Sequence, residues 1–237
     1  VTSAYHPAKI GDIVYSLPAV HRRGGVSTYF IKRPEVAKYL KPLFEAQPYI
    51  GKVVQADNPP AGVTIDFSDY QSFYRLMLRC DLISLNCMVA GVRTHQFPLK
   101  VSSVSLSSTH VKYMNTTIDL DEHRDLQMWR PNQRWLTNIE PVHKSDIIIN
   151  LTERYHDWNN EKHNPSFHFD YTLLKDYDCG FIGWDNEYGL FCDRYGFKPK
   201  RILVNDGLET AQYIAGSKLF VGATSSAKAI AEGLKHP

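Results

Sequence analysis

The sequence predicts an α/β protein whose sheets are mainly parallel and whose chain divides into two domains. Short β-forming runs alternate with helical patterns over about residues 1–80 and again, more regularly, from residue 146 to residue 235. Strands that alternate with helices in this way are typical of βαβ units, in which successive strands pair in parallel. We expect the boundary near residues 140–144, which gives domains of residues 1–142 and 143–237.

Composition and charge exclude several classes of protein. Hydrophobic residues make up 43% of the chain and charged residues 22%, close to the average of globular proteins and unlike disordered or coiled-coil sequences. The 27 lysines and arginines nearly balance the 25 acidic residues, so the formal net charge is +2. Because this balance lacks the basic footprint of a nucleic-acid-binding domain, we expect no nucleic-acid partner.

The cysteines and the hydropathy pattern favour a cytoplasmic protein. Four cysteines in 237 residues, with no CxxC pair, are too few for a disulfide scaffold, and we expect reduced thiols. No apolar run approaches the roughly 20 residues of a membrane span. The first residues also lack a signal-peptide pattern. We therefore expect a cytoplasmic chain with no transmembrane segment, for which a peripheral membrane contact stays open.

Periodicity and turn residues predict the elements of the first domain. A β-forming run at residues 26–32 is bounded by Gly24-Gly25 and Pro34 and predicts a strand. Apolar residues recur at i, i+3, i+4 and i+7 and predict a helix over residues 35–44: Val36, Tyr39, Leu40 and Leu43. Weaker patterns predict strands at 2–5, 52–55 and 63–67 and helices at 13–20, kinked by Pro18, and at 70–78.

The rest of the chain contains the clearest strand. Residues 146–151 (DIIINL) form an apolar run suited to a strand that is buried on both faces. Further strands are predicted at 179–184, 201–205 and 218–223, and helices at 171–177, 185–195, 208–216 and 225–235. In the middle of the chain, within the first domain, we expect strands at 101–107 and 117–120 and a connection with a surface helix over 120–138.

Parallel sheets bind ligands beyond the carboxyl ends of their strands, so the strand-to-helix turns are the candidate sites. In the first turn, Gly11 allows a tight backbone and Asp12 stands where a helix should begin. Two interpretations stay open for Asp12. It caps the helix, or it is a carboxylate at the sheet edge that accepts a proton.

The last turn has the composition of an anion site. Small residues at 222–226 bring the backbone close to a ligand, and the free N–H groups of the following helix attract anions. Lys228 adds a cation within the first turn of that helix. A purely structural interpretation is compatible with this one: Thr224 or Ser225 caps the helix, and Lys228 pairs with Glu232.

Two further turns carry candidate residues. Arg154 could grip a phosphate bidentately, although an ordinary surface arginine explains it as well. Trp184 could stack on a base and Glu187 could accept hydrogen bonds from ribose hydroxyls, although a helix start explains the same glutamate. The histidines at 156, 163 and 168 match no zinc template, so we expect no bound metal.

The order of these turns resembles that of the heptosyltransferase family. Residues 11–20 (GDIVYSLPAV) look like the family's N-terminal GD-x-x-x-x-x-P-A-L segment. Residues 181–237 are similar to its C-terminal nucleotide-sugar domain and contain LETAQYIAGS at 208–217, FVG at 220–222 and AIAEGLKHP at 229–237. Together these segments cover about a third of the chain.

The resemblance implies a GT-B fold, two Rossmann-like domains that face each other across a cleft. It also implies an inverting, metal-independent glycosyltransferase without a cofactor, which moves a sugar from a nucleotide-diphospho-sugar to a glycan or other hydroxyl acceptor. Asp12 would be the general base, with Lys9 and Gly11 on the acceptor side. With the turn chemistry above, the donor-binding residues would be Thr152, Arg154, Trp184, Glu187, Thr224, Ser225, Ser226 and Lys228.

The last turn departs from the family pattern D-[ST]-G-x-x-H. Here Ala223, Ser225 and Lys228 stand at the positions of the aspartate, the glycine and the histidine, so the donor sugar and nucleotide stay open. The C-terminal segment that crosses back to the first domain in GT-B enzymes is missing from this sequence, so we expect either a cut chain or a reduced relative of the family. Two alternatives remain: a non-catalytic relative that binds a nucleotide or glycan, and a GT-B-fold sugar-nucleotide epimerase.

Overall fold

The computed structural model describes residues 2–68, 134–152, 169–223 and 225–237, together with three strands between residues 104 and 119. The chain divides into two compact units, Val1–Trp135 and Leu136–Pro237. The helix predicted at 70–78 and most of the connection predicted at 120–138 lie outside the described residues.

The first unit contains a four-stranded parallel sheet, in the order β3-β2-β1-β4. Its strands are β1 (Ser3–His6), β2 (Val26–Ile31), β3 (Ile50–Gln55) and β4 (Ile65–Asp66). All four strands predicted for this half of the chain are therefore present. Gly24 and Gly25, which bound β2, have φ angles of 84° and 88°, a region that favours glycine.

Three helices accompany this sheet: α1 (Ile10–Val14), α2 (Leu17–Arg22) and α3 (Pro34–Glu45). The single kinked helix predicted at 13–20 is instead two short helices. Pro18 is the second residue of α2, where its missing N–H leaves no hydrogen bond unmade. At the break, Ser16 Oγ donates to the Ile13 carbonyl at 2.7 Å and lies 2.6 Å from the Tyr29 hydroxyl. The break is thereby tied to β2.

A small antiparallel sheet follows in the chain, in the order β5-β6-β7. Its strands are β5 (Val104–Leu106), β6 (His110–Tyr113) and β7 (Thr116–Asp119). The outer two lie within or next to the segments predicted as strands. The middle strand was not predicted.

The second unit contains another four-stranded parallel sheet, in the order β10-β9-β8-β11. Its strands are β8 (Ile147–Asn150), β9 (Cys179–Phe181), β10 (Lys200–Arg201) and β11 (Leu219–Gly222). All four residues of β8 are buried, as its apolar run predicts. The strands β9 and β10 are shorter than predicted: residues 182–184 and 202–206, which follow them, are irregular segments that lead to the next helices.

The predicted helices of the second unit are α4 (Asp185–Tyr195), α5 (Gly207–Ala215) and α6 (Ser226–Leu234). The helix predicted at 171–177 is a single 3-10 turn, Tyr171–Leu174, capped by the Asp170 side chain. No helix in the described part of the chain combines the length and apolar character needed to cross a bilayer.

An aromatic core fills the second unit. The Phe191 ring packs 5.5 Å from Tyr171 and 5.2 Å from Phe181, measured between ring centroids. Cys179 and Cys192 join this core as buried free thiols, as expected for reduced cysteines. The other two cysteines lie outside the described residues.

Tyr29→Phe should lower the free energy of unfolding by about 1 kcal/mol. Ser16 Oγ uses its proton on Ile13, so the fully buried Tyr29 hydroxyl is the donor to Ser16 and its removal leaves an acceptor unpaired. Urea unfolding measures the change. Tyr177→Phe is the control, because that side chain is largely exposed and should change stability little. Equal losses in the two variants would contradict the assigned hydrogen bond.

Cys179 should resist alkylation by iodoacetamide near neutral pH in the folded protein. Burial, and next the Asp178 carboxylate, raise the pKa of this thiol, and only the thiolate is nucleophilic. Peptide mapping after a timed reaction measures the labelled fraction at Cys179 with and without urea. Rapid labelling of the folded chain would contradict the buried, neutral thiol.

Candidate functional site

The described members of the predicted donor-side set lie at the carboxyl edge of the parallel sheet of the second unit, β10-β9-β8-β11, called the second sheet below. Strand β8 leads to Thr152, β9 leads to Trp184, and β11 leads to Ser225 at the start of α6. Next to β9, strand β10 leads to Leu203. Because all four strands are parallel, these turns follow one another along a single edge, where α/β sheets bind ligands.

Asn150, the last residue of β8, joins three of these strand ends. Its side chain is 5% exposed, and its Nδ2 donates to the Ile182 carbonyl at 2.6 Å. Its Oδ1 accepts from Ser225 Oγ at 2.7 Å, and its backbone carbonyl accepts from the Ala223 N–H at 3.1 Å. Sequence analysis missed this residue. The available signal was a polar side chain that closes an otherwise apolar strand.

Ser225 is the N-cap of α6, and it is one of the two residues, Thr224 and Ser225, that the sequence predicts for this role. Its backbone is extended, and its Oγ accepts from the Lys228 N–H at 3.2 Å while donating to Asn150. The hydroxyl proton of Ser225 is thus already used within the protein. The N–H groups of Ser226 and Ala227 come first in the helix, where no intrahelical acceptor exists. They form the anion-attracting end of α6.

Lys228 lies in the first turn of α6, where a cation opposes the helix dipole. Its Nζ lies 3.9 Å from the Glu232 carboxylate, which confirms the predicted i, i+4 pair. An anion bound at the helix start would attract the Lys228 ammonium and so offset its unfavourable interaction with the helix dipole. The neighbouring Thr224 lies outside the described residues.

Trp184 is held in an exposed position by the turn that follows β9. The side chain of Trp184 is 75% exposed. Arg201 fastens the turn around it: the guanidinium donates to the carbonyls of Phe181, at 3.3 Å, and Gly183, and it pairs with Asp185 at 3.1 Å. An arginine committed to three acceptors on one turn fixes the course of that turn.

Leu203 adds a second exposed apolar side chain at the end of the neighbouring strand. It is 72% exposed, and it follows β10 as Trp184 follows β9. Trp184 and Leu203 are therefore two large, exposed apolar side chains on adjacent turns of the carboxyl edge. Sequence analysis did not single out Leu203, because a lone leucine after a short strand carries no local signal.

Glu187 performs the structural role that sequence analysis left open. Its carboxylate is buried, and its Oε2 accepts from the Trp184 N–H at 2.8 Å, the reciprocal bond of a capping box. This bond places the glutamate carboxylate against the backbone of the exposed tryptophan. A contact with a ribose remains a prediction.

Thr152 has a buried hydroxyl that makes no hydrogen bond within the described residues. A buried hydroxyl without a partner costs about 1–3 kcal/mol, and such groups are commonly satisfied by a ligand or a water molecule. The role of Thr152 at a donor site stays a prediction. Arg154, predicted to grip the same ligand, lies outside the described residues.

In the first unit, the predicted acceptor-side residues lie in the turn from β1 to α1. Lys9 is the exposed residue that precedes α1, Gly11 is its second residue and Asp12 is its third, in a half-buried position. His6 shapes this turn, because its Nδ1 accepts from the Ala8 N–H at 3.3 Å while its buried ring stacks on Phe67. Asp12 thus lies beyond the carboxyl end of a parallel strand, as predicted.

The described residues also contain one set of possible metal ligands. Donor atoms of His143, Asp146 and Asp178 lie within 4.8 Å of one another. The two aspartates precede β8 and β9, at the amino edge of the sheet. Asp146 pairs with Lys218 at 2.9 Å, and Asp178 accepts from the Asp146 N–H at 3.2 Å. These contacts account for both carboxylates, and we assign no ion to them.

Comparisons with known proteins give matches by structure but none by sequence. No protein-family model matches the sequence, and no curated protein sequence matches it either. Solved structures do match. The E. coli heptosyltransferase WaaC with ADP aligns with a TM-score of 0.52 and 11% identity over 100% of this chain and 85% of that chain.

Two other solved structures give the same result. WaaC with ADP-2-deoxy-2-fluoro heptose aligns with a TM-score of 0.50 and 11% identity over 100% of this chain and 86% of that chain. TibC, an iron-containing dodecameric glycosyltransferase from enterotoxigenic E. coli, aligns with a TM-score of 0.53 and 13% identity over 100% of this chain and 56% of that chain. At sequence identities of 11–13%, the structural similarity shows a shared fold only. The chain has the α/β fold of these GT-B glycosyltransferases, with two parallel, Rossmann-like sheets, as its sequence predicts.

Proposed function

We propose that this chain is a glycosyltransferase that takes a sugar from a nucleotide-diphospho-sugar and passes it to a hydroxyl acceptor such as a glycan. The observation that carries the proposal is the order of groups along the carboxyl edge of the second sheet. An exposed apolar pair lies at one end of the edge, and a capped helix start with a lysine lies at the other. The fold shared with solved glycosyltransferases supports the same function.

The apolar end suits a nucleobase. In this proposal the exposed face of Trp184 stacks on the base and Leu203 packs beside it, with Glu187 nearest to the ribose. Stacking of a base on an aromatic side chain contributes about 1–3 kcal/mol and works for any base. The nucleotide therefore gains affinity here, and hydrogen bonds elsewhere decide which base is preferred.

The helix start suits a diphosphate. The N–H groups of Ser226 and Ala227 and the ammonium of Lys228 supply positive charge, and the unpaired Thr152 hydroxyl supplies a further donor. Arg154 and Thr224 belong to the same proposed set. Because β8 separates β9 from β11, the two ends lie about 10 Å apart at the usual strand spacing. A nucleoside diphosphate spans a distance of this order.

The proposed reaction is a single displacement. The acceptor oxygen attacks the anomeric carbon of the sugar, and Asp12 takes up the hydroxyl proton as general base, with Lys9 and Gly11 beside the acceptor. The bond from the anomeric carbon to the phosphate oxygen breaks, and the nucleoside diphosphate leaves with the electron pair. Helix N–H groups and Lys228 stabilise the negative charge that develops on it, the task that a metal ion performs in other enzymes. One displacement inverts the anomeric carbon.

A second candidate function is binding of the nucleotide without transfer. Ala223 favours it, because this residue opens the last turn, is buried, and offers no polar side chain to a sugar. The two functions differ in turnover. Release of free sugar or formation of a glycoside by the purified chain would exclude the binding protein.

Trp184→Ala and Lys228→Ala should weaken different parts of the donor. By calorimetry, Trp184→Ala should lower the affinity for the nucleoside diphosphate about tenfold or more, since the stacking surface is lost, and should leave inorganic pyrophosphate binding unchanged. Lys228→Ala should weaken both ligands. Tyr177→Ala, an exposed aromatic away from this edge, is the control and should weaken neither. Identical behaviour of the Trp184 and Tyr177 variants would contradict the base assignment.

Asp12→Asn should reduce kcat for sugar transfer by about 100-fold or more, because the amide cannot accept the acceptor's proton. The donor itself is found by a thermal-shift screen of nucleotide-sugars, in which a ligand at 100 times its Kd adds about 2.7 kcal/mol of stability. Donor affinity of Asp12→Asn should equal that of wild type. Glu35→Gln, an acid in the first turn of α3, is the matched control. A variant that turns over like wild type would remove Asp12 from the mechanism.

A further inference from the structure

We propose that Asn150 is a positioning residue that aligns the base end of the nucleotide site with its diphosphate end. The inference rests on the proposed function, and it assigns to Asn150 no contact with the ligand. Asn150 instead acts through the two turns that the nucleotide would touch. Its buried amide hydrogen-bonds to both turns.

The first turn is the one that carries Trp184. Asn150 holds it through the Ile182 carbonyl, while Arg201 holds the carbonyls of Phe181 and Gly183 on either side. Three successive carbonyls are therefore each bound by a side chain. Trp184 follows two residues after Ile182, so its position depends on this arrangement.

The second turn is the start of α6. Ser225 Oγ donates to Asn150 Oδ1 and itself accepts from the Lys228 N–H. The hydroxyl of Ser225 is thereby fixed in one orientation, and the helix start is fixed relative to β8. The parallel pairing of Gly222 with Asn150 brings this turn within reach of the amide.

A side chain that hydrogen-bonds to two binding turns affects the affinity of a ligand according to how many of those turns the ligand touches. A ligand that touches both turns gains affinity when they are already aligned, because binding does not have to order them. A ligand that touches only one turn gains little from the alignment. Loss of Asn150 should therefore weaken the whole nucleotide much more than it weakens either of its parts.

The test compares three ligands on each variant. They are whichever of ADP, GDP, UDP and CDP binds the wild-type chain best, the nucleoside of that nucleotide, and inorganic pyrophosphate. Asn150→Ala should weaken the diphosphate about tenfold or more, and the nucleoside and pyrophosphate each by less than about twofold. Ser225→Gly should act in the same direction, because glycine still caps a helix but cannot bond to Asn150. Ser225→Thr keeps the hydroxyl and should retain affinity.

Ser217→Ala is the matched control. Its buried hydroxyl also links two segments, through the Ile214 carbonyl at 2.8 Å and His236 at 3.0 Å, but it lies before β11, at the amino edge of the same sheet. A general loss of rigidity would appear in this variant as well. We expect it to bind all three ligands like wild type.

The outcomes separate the two proposals. If no nucleoside diphosphate binds the wild-type chain, the proposed function fails and this inference fails with it. If the wild type binds but Asn150→Ala weakens none of the ligands, or all three equally, the positioning role is wrong and the proposed function stands. Should Asn150→Ala not fold, Ser225→Gly and Ser225→Thr decide between the same results.

Discussion

The hydrogen bonds of one buried amide hold the second sheet's carboxyl edge together. A side-chain amide can be buried at low cost only when both its donor and its acceptor are paired. Parallel pairing of β8 with β9 and β11 supplies both partners for Asn150, the Ile182 carbonyl and the Ser225 hydroxyl. The turn before the exposed tryptophan and the serine that caps α6 are thereby each hydrogen-bonded to the same side chain.

The amino edge and the carboxyl edge of that sheet differ in how far their polar groups are paired within the protein. At the amino edge the polar groups satisfy one another, as in the Asp146–Lys218 pair and the bond between Ser217 and His236. At the carboxyl edge an exposed tryptophan, an unpaired threonine hydroxyl and a lysine against the helix dipole lie together. Local departures of this kind tend to gather where a protein binds its ligand.

Sequence reasoning succeeds here where the signal is local. The apolar run before Asn150 predicts a strand covered on both faces, and the small residues at 223–226 predict the cap of α6. It fails where a role depends on residues far apart: the partners of Asn150 lie 32 and 75 positions away. Glu187 is intermediate, because capping and ligand binding call for the same side chain at the same position.

The burial of Asn150 also makes the folded second unit incompatible with an N-linked glycan at this residue. With Leu151 and Thr152 it forms an N-x-T sequon, the acceptor sequence for N-linked glycans. The atom that would carry the glycan, Nδ2, is the one bonded to the Ile182 carbonyl inside the fold. If the chain were directed into a glycosylating secretory compartment, a glycan attached to this nitrogen during synthesis would prevent its hydrogen bond to Ile182 and disturb the pairing of β8 with β9. Synthesis in a compartment without that machinery avoids the conflict.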